Sequence, residues 1–120
     1  MKEFSKTNYH YFFFILLFIT QIFIFDDYGY SHDEHLSRLN GLVSYNYIIE
    51  KFGLNILQLH TDIPRLENYM DNDYGVVFEL FLVFFEKIFN LQDSKNIYLS
   101  RHLFVSLSFF IGCIFFYLTL

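Results

Sequence analysis

The sequence predicts an all-α membrane protein in which two transmembrane helices are joined by a long outer loop with juxtamembrane amphipathic helices. Three observations carry this prediction. Two apolar runs without acidic or Lys/Arg residues lie toward the ends, at residues 9–25 and 103–120. Hydrophobic residues make up 54% of the 120 positions and charged ones 18%, with 28 Phe and Tyr and a positive mean hydropathy. A soluble domain of this size leaves about a third of its surface in water and needs a larger polar share to coat it. Finally, the region between the runs holds 12 of the 13 acids and carries helix signals. The same numbers exclude other classes. A single Cys excludes a disulfide scaffold, and a net charge of −5 argues against a nucleic-acid partner. Five Gly and one Pro are too few for a disordered linker.

Residues 1–8 read as a short cytoplasmic tail, basic through Lys2 and Lys6. The first run, Tyr9 to Phe25, is 17 residues long. At about 1.5 Å per residue it reaches roughly 26 Å, near the lower limit for a hydrocarbon core of about 30 Å. It ends in Phe23-Ile24-Phe25-Asp26-Asp27, without the small residues of a signal-peptide cleavage site, so an uncleaved anchor is expected. The basic side of a span faces the cytoplasm, which places residues 26–102 outside.

Within that loop, Ser31 and Glu34 have the spacing of a capping box. Leu36, Leu39, Val43 and Tyr47 then recur at intervals of three and four, and Gly53 supplies a stop; a helix over about 32–52 follows. Residues 54–72 are irregular around Pro64, and Asp71-Asn72-Asp73-Tyr74-Gly75 reads as a turn. The segment 76–91 is apolar except for Glu79, Glu86, Lys87 and Asn90. Glu79, Glu86 and Asn90 share one narrow stripe, which suits a helix in the membrane interface or packed on spans of the same protein. Asp93 and Ser94 can cap a helix that continues through Arg101 into the second span, 103–120. Ser108 and Gly112 have the spacing of a close helix contact, and Cys113 reads as an inert apolar side chain. Leu120 ends the run without a polar flank, so the sequence is expected to be the amino-terminal part of a longer polytopic protein.

The strongest chemical candidate is His32-Asp33-Glu34-His35, just beyond the first span. Carboxylates at a low-dielectric boundary can act as general bases. A structural account competes, since Glu34 can complete a cap and Asp33 can favour the helix amino end. The His pair at i, i+3 falls short of a zinc pattern, as does His60-x-Asp62. Asp71 and Asp73 could hold a divalent cation beside a phosphate, although no metal ligand set is predicted. Arg38 lies one turn past Glu34 and either pairs with it or contacts a phosphate. Arg101 is either an interfacial anchor or a lipid-phosphate contact.

The order of these elements resembles the start of the GT-C superfamily, the membrane glycosyltransferases that use polyprenyl-phosphate sugars. These include the protein mannosyltransferases, the lipid A aminoarabinose transferases and the RgtA/B/C/D-like group, to which the likeness is greatest. The residues that carry it are Asp27-Tyr-Gly-Tyr-Ser-His-Asp33-Glu34 after the first span, Arg38-Leu-Asn-Gly41, Tyr74-Gly75 before the apolar helix, and Asp93 through Arg101-His102 at the second span. His35 stands where the family often has Pro, and the Lys-Pro-Pro element of the aminoarabinose transferases is missing. The resemblance implies a bacterial inner-membrane enzyme that moves a sugar from a polyprenyl-phosphate donor to a glycan, lipid or protein acceptor at the outer face. It assigns Asp33 as catalytic acid/base with Glu34 beside it, and Arg38, Tyr74 and Arg101 as substrate contacts. Metal dependence is left open, and the 120 residues alone are expected to be inactive. The rival expectation is a small non-enzymatic two-span scaffold or accessory subunit. A transporter or channel piece would call for an ionisable group deep in a span, and neither run has one.

Overall fold

The computed structural model describes residues 9–54 and 62–120. Among them the chain is helical, with no strand: α1 (Tyr9–Ile24), α2 (His32–Phe52), a short 3₁₀ turn (Leu66–Asn68), α3 (Val77–Ile88) and α4 (Ser94–Thr119). The chain divides into two compact units. One is built from α1 and α4; the other, residues 30–93, from α2, the 3₁₀ turn and α3. The expected cytoplasmic tail, 1–8, and His60 lie outside the described residues.

In the first unit α1 and α4 run antiparallel, because ring contacts join early residues of one helix to late residues of the other. His10 stacks on Tyr117 at 5.3 Å between centroids, Phe14 meets Phe110 edge-on, and Phe18 lies 5.1 Å from Phe110. Beyond the helix end, Tyr28 packs edge-on to His102. The outward faces are apolar, carrying Phe12, Ile15, Phe23, Phe109 and Phe115, whereas the buried residue of α1 is Gln21. This is the reverse of a water-soluble hairpin.

α4 contains 26 residues and is long and apolar enough to cross a membrane. The helix begins at Ser94 and runs through Arg101 into the apolar stretch without a break, as expected. α1 is apolar but has only 16 residues, about 24 Å, which is short of the roughly 20 residues a span ordinarily needs.

In the second unit α2 begins and ends where its sequence signals stand. Gly53 adopts φ 62°, ψ 34°, and two backbone bonds close the helix: Gly53 N–H to the Glu50 carbonyl and Leu54 N–H to the Ile49 carbonyl. That pair is the Schellman arrangement, and it needs a left-handed residue where glycine carries no Cβ penalty. At the other end Ser31 occupies the N-cap position with extended backbone, and Glu34 N–H donates to its carbonyl at 3.1 Å. The Ser31 side chain makes no cap hydrogen bond, so the Ser31 half of the expected capping box is not formed.

The core of this unit is Leu42, Tyr45 and Ile49 from α2 against Val83 of α3, flanked by Ile63, Leu80 and Phe84. The face expected from sequence, Leu36–Leu39–Val43–Tyr47, is met only at its middle: Val43 is buried and Leu39 half-buried, whereas Leu36 and Tyr47 are exposed. The helix is turned so that Arg38, Gly41, Leu42, Tyr45 and Ile49 line the contact. Two features of α3 explain this choice, a carboxylate for Arg38 and a close backbone approach at Gly41. The expected helix 76–91 is shorter, ending at Ile88. Asn90 takes φ 49°, and Asn90 and Leu91 N–H groups donate to the Lys87 and Glu86 carbonyls. Asn90 therefore closes the helix instead of extending its polar stripe.

Candidate functional site at the head of α2

Asp33 and Glu34 stand in the first turn of α2, where the unpaired backbone N–H groups favour negative charge. Asp33 is exposed and Glu34 half-buried; His32 and His35 beside them are exposed. An exposed carboxylate on a helix that begins eight residues after an apolar helix ends can meet a polar group arriving from solvent. No grouping of three or more His, Cys, Asp or Glu able to hold a metal occurs among the described residues.

One turn further along α2, Arg38 is bound to the other helix of the unit. Its Nε donates to Glu86 Oε2 at 3.1 Å and its Nη2 to Glu86 Oε1 at 2.5 Å. Glu86 is 4% exposed, so its charge is compensated by a fork-shaped donor matched to a carboxylate. The sequence offered Glu34 as a partner; the bidentate partner is 48 positions away. Lys87 lies next to this pair. Burial pulls its amine below the ordinary lysine range, with Glu86 opposing that shift and Arg38 adding to it.

A further contact binds the irregular segment to α2. The Tyr69 hydroxyl donates to Asn40 Oδ1. Burial pushes that phenol above its ordinary range, and the nearby Asp71 carboxylate adds to the shift. The expected turn is present, with Tyr74 N–H donating to the Asp71 carbonyl at 3.3 Å. It leaves Tyr74 and Asp73 exposed and Asp71 half-buried. Gly41 lets the two helix backbones approach, since a Cβ there would stand 2.9 Å from the Glu79 carbonyl oxygen.

Of the residues named from sequence, Asp33, Glu34 and Arg38 share α2, and Tyr74 lies in the same unit on the turn before α3. Arg101 belongs to the other unit and is 4% exposed, so it is not an open interfacial anchor. Sequence reasoning missed Tyr69 altogether, and it met Asn40 and Gly41 only within the stretch Arg38-Leu-Asn-Gly41, without a packing role. It saw Glu86, but as part of a polar stripe and without Arg38 as its counterpart. A buried-charge argument could have found this pair: a glutamate surrounded by Phe, Leu and Val requires a cation, and Arg38 is the Arg nearest the centre of the preceding helix.

No family model, curated protein or solved structure matches this chain.

Proposed function

We propose that the protein is the amino-terminal part of a membrane glycosyltransferase that transfers a sugar from a polyprenyl-phosphate donor to an acceptor at the outer membrane face. The single observation behind this reading is the Asp33-Glu34 pair, held at the open end of a helix that follows an apolar helix, with α2 braced from behind by α3. The proposal includes the two-span arrangement, with α1 and α4 crossing the bilayer and residues 26–102 outside.

In the reaction, the acceptor hydroxyl oxygen attacks the anomeric carbon of the donor. The Asp33 carboxylate takes the hydroxyl proton while the carbon–oxygen bond to phosphate breaks, and the polyprenyl phosphate leaves with the electron pair. A base must reach the proton it removes, which an exposed first-turn side chain can do. Glu34 orients the acceptor beside it, and Tyr74, exposed on its turn, contacts the donor. Arg38 has a different place in this scheme from the substrate contact that the resemblance implies. Committed to Glu86 by two hydrogen bonds, it acts as a positioning residue that sets the direction of the head of α2.

The test is Asp33→Asn in the polypeptide as its gene encodes it, assayed in native membranes with a radiolabelled polyprenyl-phosphate sugar. Transfer is expected to fall by at least about a hundredfold, the scale of a lost general base, with membrane insertion unchanged. Turnover near the unsubstituted rate removes Asp33 from the mechanism. A second reading, a non-enzymatic scaffold, draws on the apolar outer faces of both units, which would also serve to gather partner helices. It predicts that no substitution at Asp33 changes any sugar transfer.

A further inference from the structure

α3 is apolar on its outward side as well as where Leu82 and Val83 are buried. Its charged residues are Glu79, Glu86 and Lys87; Glu86 is buried and the other two are half-buried. The face turned to solvent is instead apolar: Val77 is 85% exposed, Phe81 51%, Ile88 75% and Phe89 60%. Val77, Phe81 and Ile88 fall at i, i+4 and i+11, a single stripe along the helix. A helix of a water-soluble protein places its charges outward and its Phe and Ile inward, because burying apolar surface is favourable and burying charge is not. Here Glu86 is buried although an apolar face was available to dock in its place. The arrangement is favourable only if the medium outside α3 is apolar.

We propose that the Val77–Phe81–Ile88–Phe89 face of α3 lies in the outer boundary of a lipid bilayer, with the helix along the surface and not across it. Three features choose lipid over another occupant. Only five residues, 89–93, separate α3 from the start of α4, the helix apolar enough to cross a membrane. At about 3.5 Å per residue for that tether and about 1.5 Å per residue for the helical stretch 94–102 that precedes the apolar run, the end of α3 stays within roughly 35 Å of any bilayer that α4 enters. The outward stripe bears no carboxylate to be repelled by anionic headgroups. And 12 residues, about 18 Å, are too few to span the hydrocarbon but enough to lie along its edge.

The inference rests on α4 crossing the bilayer, so the experiment reads both. Single-cysteine variants of the full chain are made on a Cys113→Ser background at Val77, Ile88, Glu50 and Ile111. They are labelled with a nitroxide and reconstituted into vesicles of phosphatidylcholine and phosphatidylglycerol. Collision with oxygen and with a water-soluble nickel complex then gives the depth of each label. Labels at Val77 and Ile88 are expected to be oxygen-accessible and nickel-shielded, roughly 5–10 Å inside the headgroup boundary. The Glu50 label, on the exposed side of α2, is expected to be nickel-accessible. Nickel access at Val77 and Ile88 equal to that at Glu50 overturns the proposal. Shielding from both reagents also overturns it, because the face is then covered by protein. Nickel access at Ile111 means that α4 does not cross, and the membrane reading falls with it. Val77 and Ile88 are read independently, so a variant that does not fold leaves the other to decide.

Discussion

A Cβ built on Gly41 would meet the Glu79 carbonyl oxygen at 2.9 Å and Val83 Cγ2 at 3.0 Å, and neither backbone can retreat without opening the core between the helices. Close approach at Gly41 is what brings Arg38 within two hydrogen bonds of Glu86. Removing one member of a buried pair costs far more than replacing both, since the remaining charge is left without compensation. Glu86→Ala is therefore expected to lower stability by about 3 kcal/mol, the lower end for buried pairs because the Arg38 side chain remains 23% exposed. Arg38→Met combined with Glu86→Leu should recover most of that loss, with chemical denaturation monitored by circular dichroism as the measurement. A double variant as unstable as the single one would show that the pair has no such coupling.

Lys87 gives a pH signature. Its amine is held below its ordinary value of about 10.5, chiefly by burial. The unfolded chain then binds the proton more tightly than the folded one. Below the folded value the penalty on the ammonium is present in full, and it disappears as pH rises to the ordinary lysine value. Lys87→Met is expected to be more stable than the unsubstituted protein at neutral pH, with the difference shrinking toward pH 10.5. Thermal midpoints of the two proteins across that interval check it; a constant difference would contradict it. Taking the difference cancels Tyr45 and Tyr69, whose phenols burial pushes the other way.

The helices of the second unit end by the same device with different residues. At Gly53 the left-handed turn is met by glycine; at Asn90, with φ 49°, by the non-glycine residue that best tolerates it. Asn90→Gly is expected to be neutral or slightly stabilising, while Asn90→Val should cost about 1–2 kcal/mol, the left-handed penalty. Urea midpoints of the two variants separate this account from one in which Asn90 is an ordinary helical residue, where Gly would be the more damaging change. The stop at Ile88 also limits α3 to 12 residues and leaves five residues before the following helix begins. Gly53 was legible from sequence because glycine after a charged last turn has few other uses. Asn90 was not, since asparagine also fits the polar stripe of a continuing helix.

The chain as a whole is two units joined by two short connections, each with its own packing. Opening the α2–α3 pair should then leave α1 and α4 as they are. Hydrogen exchange on Glu86→Ala in vesicles is expected to show faster exchange in residues 36–50 and 79–87, with protection at residues 105–116 of α4 retained. Uniform loss of protection along the chain would mean that the units fold as one. The α1–α4 unit and the outward face of α3 expose apolar side chains, while Gln21 in one unit and Glu86, paired with Arg38, in the other are buried. This pattern is expected of a protein that folds against lipid, where unmet polar groups are costlier than exposed Phe.

Helix existence and the ends of α2 were readable from the sequence, because capping and hydrophobic spacing act over a few neighbouring residues. So were the apolar character of α1 and α4, which composition alone dictates, and the turn at Asp71–Tyr74, which local backbone chemistry sets. The direction in which α2 and α3 face each other was decided only in three dimensions. Leu36 and Tyr47 fit a helical stripe as well as Leu42, Tyr45 and Ile49 do, and local spacing cannot choose between them. The choice came from a long-range match, a backbone notch at Gly41 and a carboxylate 48 residues from the arginine it binds. Pairing energies of that kind depend on which surfaces meet, and no short stretch of chain contains that information.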